Sequence, residues 1–201
     1  IGFQGLLQSD TAEYVHHFVL RGWYGPSDCG QAMTIPSFCD DFNFADIFVW
    51  APGTADSELP INVGFLMGTM SSGFSSLSLQ THYNNPNGDT GMTDSSGVRV
   101  YYTEELRPMN MGVMQLGDPS VALRGEPLTD GKFGISFGCP SSCTEEHFEA
   151  GEVKIFYHFL HMHENGQTMR TRQYRNDSSG NEVLVHAAEV EYYSFLQAGG
   201  F

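Results

Sequence analysis

The stretch YVHHFVL, Tyr14 to Leu20, decides the fold and poses its main difficulty. Val15, Phe18, Val19 and Leu20 are the β-branched, aromatic and apolar residues that suit a pleated, half-buried surface, so the run reads as a strand. Side chains on a strand alternate faces, which sends His16 and His17 in opposite directions. For both to hold one ion the strand needs a bulge or bend. Otherwise one histidine points inward and the other outward.

Working outward, similar runs recur at short intervals: Ile47–Trp50, Val63–Met67, Leu77–Tyr83, Val98–Tyr102, Gly112–Leu116, Lys132–Phe137, Val153–His163, Thr168–Tyr174 and Glu182–His186. Each is bounded by Gly, Pro, Asn, Asp or Ser clusters, and helical periodicity is scarce. The expectation is an all-β chain with the strand spacing of sandwiches or jelly rolls. Two turns share one recipe, Asp94-Ser95-Ser96-Gly97 and Asp177-Ser178-Ser179-Gly180, which is common turn chemistry and not a repeat. A boundary is expected at Leu106-Arg107-Pro108-Met109, dividing the chain into 1–108 and 109–201.

Two further histidine motifs sit on predicted strands. In LSLQTHYNNP, Leu77 to Pro86, His82 shares a face with Ser78 and Gln80 opposite Leu77 and Leu79. That placement suits a ligand and suits an exposed histidine equally well. In FYHFLHMHENG, Phe156 to Gly166, alternation puts His161 and His163 on one face and His158 on the other. Both faces of that run are largely apolar, so it reads as a central strand covered on both sides. Borderline and soft cations such as zinc and copper suit imidazole nitrogen. Taken by itself, the His-x-His pair also describes polar side chains at a strand end.

Composition restricts the partner. Over 201 residues, 9 Lys plus Arg stand against 24 Asp plus Glu, a net charge of −15. That balance argues against nucleic acid and against anionic membrane surfaces, leaving a small or neutral partner. No apolar run in this sequence is long enough for a membrane-spanning helix, and its first residues do not read as a signal peptide. The chain begins at Ile1, as expected of a processed product or part of a longer polypeptide. The sequon Asn176-Asp177-Ser178, the even count of 4 cysteines and the scarcity of lysine favour an oxidising compartment, secreted or lumenal, with Asn176 as glycosylation acceptor.

The motifs in order, His16-His17, then His82-Tyr83-Asn84-Asn85-Pro86 with Asp94-Ser95-Ser96-Gly97-Val98-Arg99-Val100-Tyr101-Tyr102-Thr103, then His161-x-His163, resemble the copper type II ascorbate-dependent monooxygenases. The likeness runs from about Glu13 to Gln197, includes Cys139 and Cys143 and Tyr192 to Gln197, and is most specific from His82 to Thr103. It is nearer the dopamine β-monooxygenase and monooxygenase-like branch than the peptidylglycine branch. What the resemblance implies is a pair of jelly-roll-like β-sandwich domains facing each other across a cleft, each with one copper. His16, His17 and His82 would hold the copper that receives electrons from ascorbate. His161 and His163 would hold the copper at which O2 reacts and a C–H bond of a small organic substrate is hydroxylated, with His161 catalytic.

The chain departs from that pattern in places. The family's second copper also takes a methionine from a later strand, and Met109, Met111, Met114 and Met162 do not match that position. His186 has no motif that makes it a substitute. Cys139 and Cys143 resemble residues that pair with more distant partners, whereas Cys29 and Cys39 are placed to bond across a short loop. Phe159 stands where peptidylglycine members carry the arginine that pairs with a peptide carboxylate. Both domains are therefore expected to be incomplete, with the chain a central segment of a longer protein. The competing expectations are an extracellular structural or assembly module that keeps the fold without catalysis, and a copper-storage protein.

Overall fold

The computed structural model describes residues 1–24, 44–68, 73–117, 131, 134–142, 153–162 and 166–194. Along these the chain forms β1 (Gly2–Leu6), a 3-10 turn (Ala12–Tyr14), β2 (Val15–Trp23), β3 (Phe44–Trp50), β4 (Ser57–Glu58), β5 (Val63–Gly64), β6 (Ser76–Tyr83), β7 (Gly97–Tyr101), β8 (Met109–Asn110), β9 (Met169–Asn176) and β10 (Glu182–Val190). The class is all-β, as expected. By backbone proximity the chain divides into Ile1–Val113 with Tyr157–Phe201, and Met114–Phe156.

Within the first unit the alternation read from Val15 to Leu20 determines what packs. Phe18 and Leu20 point inward and are buried at 0% and 4% exposure. His17, Val19 and Arg21 consequently face the other side of the sheet β3-β2-β6, in which β2 is central. A second sheet, β4-β1-β7, covers the inward side. Phe3 of β1 stacks on Phe48 of β3 at 5.3 Å between centroids, and Phe18 packs on Trp50 at 5.3 Å. Val15, Leu20, Ala45, Ile47 and Phe74 complete the core. Burying each large apolar side chain contributes about 1.5–3 kcal/mol, which makes this aromatic layer the rigid floor beneath β2. Gly5 is required where β1 crosses Trp50, because a Cβ there would lie 2.5 Å from the indole ring.

The remaining described ladders are small. β5 pairs with β8 in parallel, and β9 with β10 as an antiparallel hairpin with a register shift between Leu184 and His186. In the second unit the described residues carry no strand.

Several expected strands are therefore corrected. Gly112–Leu116 and the described parts of Lys132–Phe137 form no ladder, and in Val153–His163 only Phe159 makes a bridge among the described residues. Val153 to Tyr157 are exposed rather than covered on both faces. Residue type records whether side chains suit a pleated surface, but pairing and burial depend on neighbours that the local pattern does not specify. Val63–Met67 shrinks to Val63–Gly64 plus a bridge from Met67 to Phe74. Conversely β1 was hidden by its two glycines, a weak strand signal that is legible only once the close approach to Trp50 is known.

Candidate metal centre

The central strand resolves the problem set by two adjacent histidines. His17 lies opposite His82 in the β2–β6 ladder, and that ladder shifts register between Val15 and His17. The bulge brings His16 round to the side of His17, and the two Nδ1 atoms stand 2.9 Å apart. Ring centroids are 5.1 Å apart for His16 and His17, 5.0 Å for His16 and His82, and 4.7 Å for His17 and His82. One ring nitrogen from each residue lies within 4.8 Å of the other two, and no other such group of His, Cys, Asp or Glu gathers among the described residues. With nitrogen-to-metal distances of about 2.0–2.1 Å, donors on one ion stand at most about 4 Å apart. Small side-chain rotations close the set, so these residues fit a single imidazole-loving ion such as copper.

Electrostatics favours the ligand form. His16 and His17 are half-buried and His82 is exposed, which leaves one side of the cluster open to solvent. Burial, followed by the charges of His82, His16 and His161, lowers His17 from 6.5 to about 4. At neutral pH the ring is uncharged and has a lone pair to offer.

Two hydrogen-bonded clasps fix the ends of the strands that carry the cluster. Asn84 N–H donates to the Tyr14 carbonyl at 2.7 Å, tying the end of β6 to the start of β2. The Tyr14 hydroxyl donates to Asp89 at 3.0 Å, and Asp89 is held in turn by reciprocal bonds with Asn85 at 2.9 and 3.0 Å. The second clasp centres on Asp94, whose carboxylate accepts from Tyr83 at 2.8 Å, from Ser96 at 2.7 Å and from Thr11. Burial raises the Asp94 carboxyl, but the hydroxyls of Thr11, Ser96 and Tyr83 outweigh it and hold the group below its ordinary 3.8. Because Tyr83 follows His82 directly, this carboxylate anchors the residue next to a candidate ligand. In the sequence Asp94 stands only as the first residue of an Asp-Ser-Ser-Gly turn, and nothing local marks its contacts with Thr11 and Tyr83.

The second candidate group is described in part. His161 is exposed, and its ring stacks on Phe159 with 5.9 Å between centroids and 11° between planes. The Tyr193 hydroxyl lies 3.4 Å from His161 Nδ1 and is bonded to the backbone of Met162. Tyr193 lies within the stretch that resembles the family, but its contact with His161, 32 positions away, is not marked by any local motif. His163 falls outside the described residues, as do Cys29, Cys39 and Cys143. Cys139 is an exposed free thiol. His158 turns from His161 to pack edge-on against His186 at 4.9 Å, and its buried Nδ1 has no hydrogen-bond partner among the described residues. Asn176 is exposed at the end of β9, beside the turn that Asp177 closes by accepting from Ser179 and Asn181 N–H.

Comparison with known proteins follows the same order. Residues 1–90, which carry His16, His17 and His82, match the N-terminal domain of copper type II ascorbate-dependent monooxygenases. Residues 109–197, which carry His161, match the C-terminal domain. The chain is 30% identical over 197 residues to DBH-like monooxygenase protein 1 of Gallus gallus, covering 93% of this chain and 31% of that protein. It is 36% identical over 136 residues to dopamine beta-hydroxylase of Rattus norvegicus, covering 67% of this chain and 22% of the relative. DBH-like monooxygenase protein 2 of Mus musculus is 28% identical over 212 residues, covering 97% of this chain and 32% of that protein. The chain thus spans about a third or less of the length of these relatives. No solved structure matches it.

Proposed function

Because the chain belongs to the copper type II ascorbate-dependent monooxygenase family, we propose that it forms part of an enzyme hydroxylating a C–H bond of a small organic substrate with O2 and ascorbate. The observation that carries this reading is the convergence of His16, His17 and His82 on one sheet face, through the bulge between Val15 and His17. When bound, copper supplies the one-electron redox chemistry that ascorbate and O2 require. The chain's own part is to keep His17 neutral, to hold the three rings on a rigid strand floor and to leave one side of the cluster open.

In the same reading the boundary near Pro108 separates two copper domains, 1–108 and 109–201, and the separate family matches over residues 1–90 and 109–197 support a division there. His161 and His163 ligate the second copper, with His161 catalytic. Phe159 lies flat against His161 and offers a carboxylate no partner, which disfavours substrates recognised by a terminal carboxyl group. A secreted or lumenal location, a Cys29–Cys39 disulfide and glycosylation at Asn176 belong to this proposal. The sequon's exposure supports the last of these.

The test is copper stoichiometry of the full natural protein by elemental analysis, with the EPR spectrum of its oxidised form. Two coppers per chain in nitrogen-rich type 2 sites are expected. His161→Ala should then lose hydroxylation while keeping the three-histidine copper, and His82→Ala should lose electron delivery from ascorbate. One copper or none in folded, copper-exposed protein would replace this reading with a structural module of the same fold.

A further inference from the structure

Tyr193 reaches back to Met162 and His161 from 31 and 32 positions along the chain. Met162 N–H donates to its phenol oxygen at 2.8 Å, and the phenol O–H donates to the Met162 carbonyl. Tyr193's own N–H donates to the Gln167 carbonyl at 2.9 Å, so the phenol approaches from an anchored backbone. The same oxygen stands 3.4 Å from Nδ1 of His161. A phenol has one proton, and here the Met162 carbonyl takes it. Toward His161 the oxygen can then only accept, so a hydrogen bond across that 3.4 Å is made by the tautomer with its proton on Nδ1. A neutral imidazole has a single ring proton, so the lone pair is then on Nε2.

We propose that Tyr193 is a positioning residue for His161: its phenol oxygen holds the ring proton on Nδ1 and thereby assigns metal ligation to Nε2. This rests on the reading of His161 as a copper ligand. Ligation at Nε2 makes Nδ1–H a stronger donor, so contact and ligation reinforce each other, as outer hydrogen bonds to metal-bound histidines generally do. The bond to Met162 serves the same end by fixing the backbone on which His161 stands.

Tyr193→Phe in the full natural protein removes the hydroxyl and keeps the ring. Proton–nitrogen correlation spectra of the metal-free, histidine-labelled protein should show the Nδ1–H tautomer at His161 in the parent and its loss in the variant. Competition titration with a copper chelator should show second-site affinity falling about 10- to 100-fold, with the three-histidine site unchanged. An unaltered tautomer and affinity in Tyr193→Phe, or a proton on Nε2 in the parent, overturns the proposal while leaving the copper reading in place. Copper uptake by His161→Ala equal to the parent's overturns the underlying reading and the proposal with it. Should Tyr193→Phe not fold, a ring-fluorinated tyrosine at 193 alters the phenol without removing it. A shifted His161 Nδ1 resonance is then expected, and an unmoved one counts against the proposal.

Discussion

His16 and His17 are neighbours that an unbroken strand would send to opposite faces, and one register shift between Val15 and His17 turns them to the same side. The requirement for a bulge could be read from the sequence, because no regular strand lets adjacent residues share an ion. Which of the two histidines moves could not, since that depends on His82 lying opposite His17 rather than His16. Because His17 stands on the face away from Phe18 and Leu20, His17→Ala removes a ligand without opening the core. Copper per chain should fall by one, while stability in the metal-free protein should fall by much less than the about 2–5 kcal/mol of a core truncation, because the half-buried ring lies outside the aromatic layer. A collapse in the urea midpoint would show the ring to be structural. Gly5→Ala makes the opposite prediction. Its new methyl group meets the Trp50 indole, and overpacking of that kind costs about 1–3 kcal/mol. The loss should appear as a lower urea midpoint at an unchanged slope, and an unchanged midpoint would mean that β1 can move off Trp50.

The clasp around Asp94 is the unit that joins the N-terminal segment at Thr11 to the end of β6 through Tyr83. Its carboxyl is held below its ordinary value in the folded protein, so the folded state binds a proton less readily than the unfolded state. The stability it contributes is present above the unfolded value of 3.8 and is lost as pH falls through the depressed folded value. Asp94→Asn should therefore flatten the acid limb of the stability curve below about pH 5 and lower stability at neutral pH. Urea midpoints measured across that range test both, and parallel curves for parent and variant would remove Asp94 from the account. The element scale is also where sequence reading divides most clearly. β2, β6, β7, β9 and β10 were legible because alternation and bounding turns coincide in them, and the Asp-Ser-Ser-Gly turns mark where two of those strands begin or return. Val153–His163 has the same residue types and builds no regular strand in its described part, because nothing in a local pattern names the neighbour a strand must pair with. The same limit hid Tyr193, whose proposed role depends on a contact across 32 positions.

For the molecule as a whole, the copper proposed at the three-histidine cluster would tie metal binding to folding, through geometry that only the folded chain possesses. His16, His17 and His82 converge because β2 bulges and β6 pairs with it, and an unfolded chain keeps only the first two close together. An ion that binds the folded trio far more tightly than the unfolded chain must raise the stability of everything that holds the trio in place. That includes the Phe3–Phe48 and Phe18–Trp50 layer beneath β2 as well as the ligands. At free copper about a hundredfold above the dissociation constant the gain is about 2.7 kcal/mol. Stripping the metal should lower the midpoint of thermal unfolding, and restoring copper should recover it in a concentration-dependent way. His82→Ala should lose most of that response while keeping nearly the parent's metal-free midpoint, because His82 is exposed and contributes no core contact. The decisive comparison is between the two copper titrations. A full copper response in His82→Ala would place the stabilising ion elsewhere in the chain, and the convergence on β2 and β6 would then need another explanation.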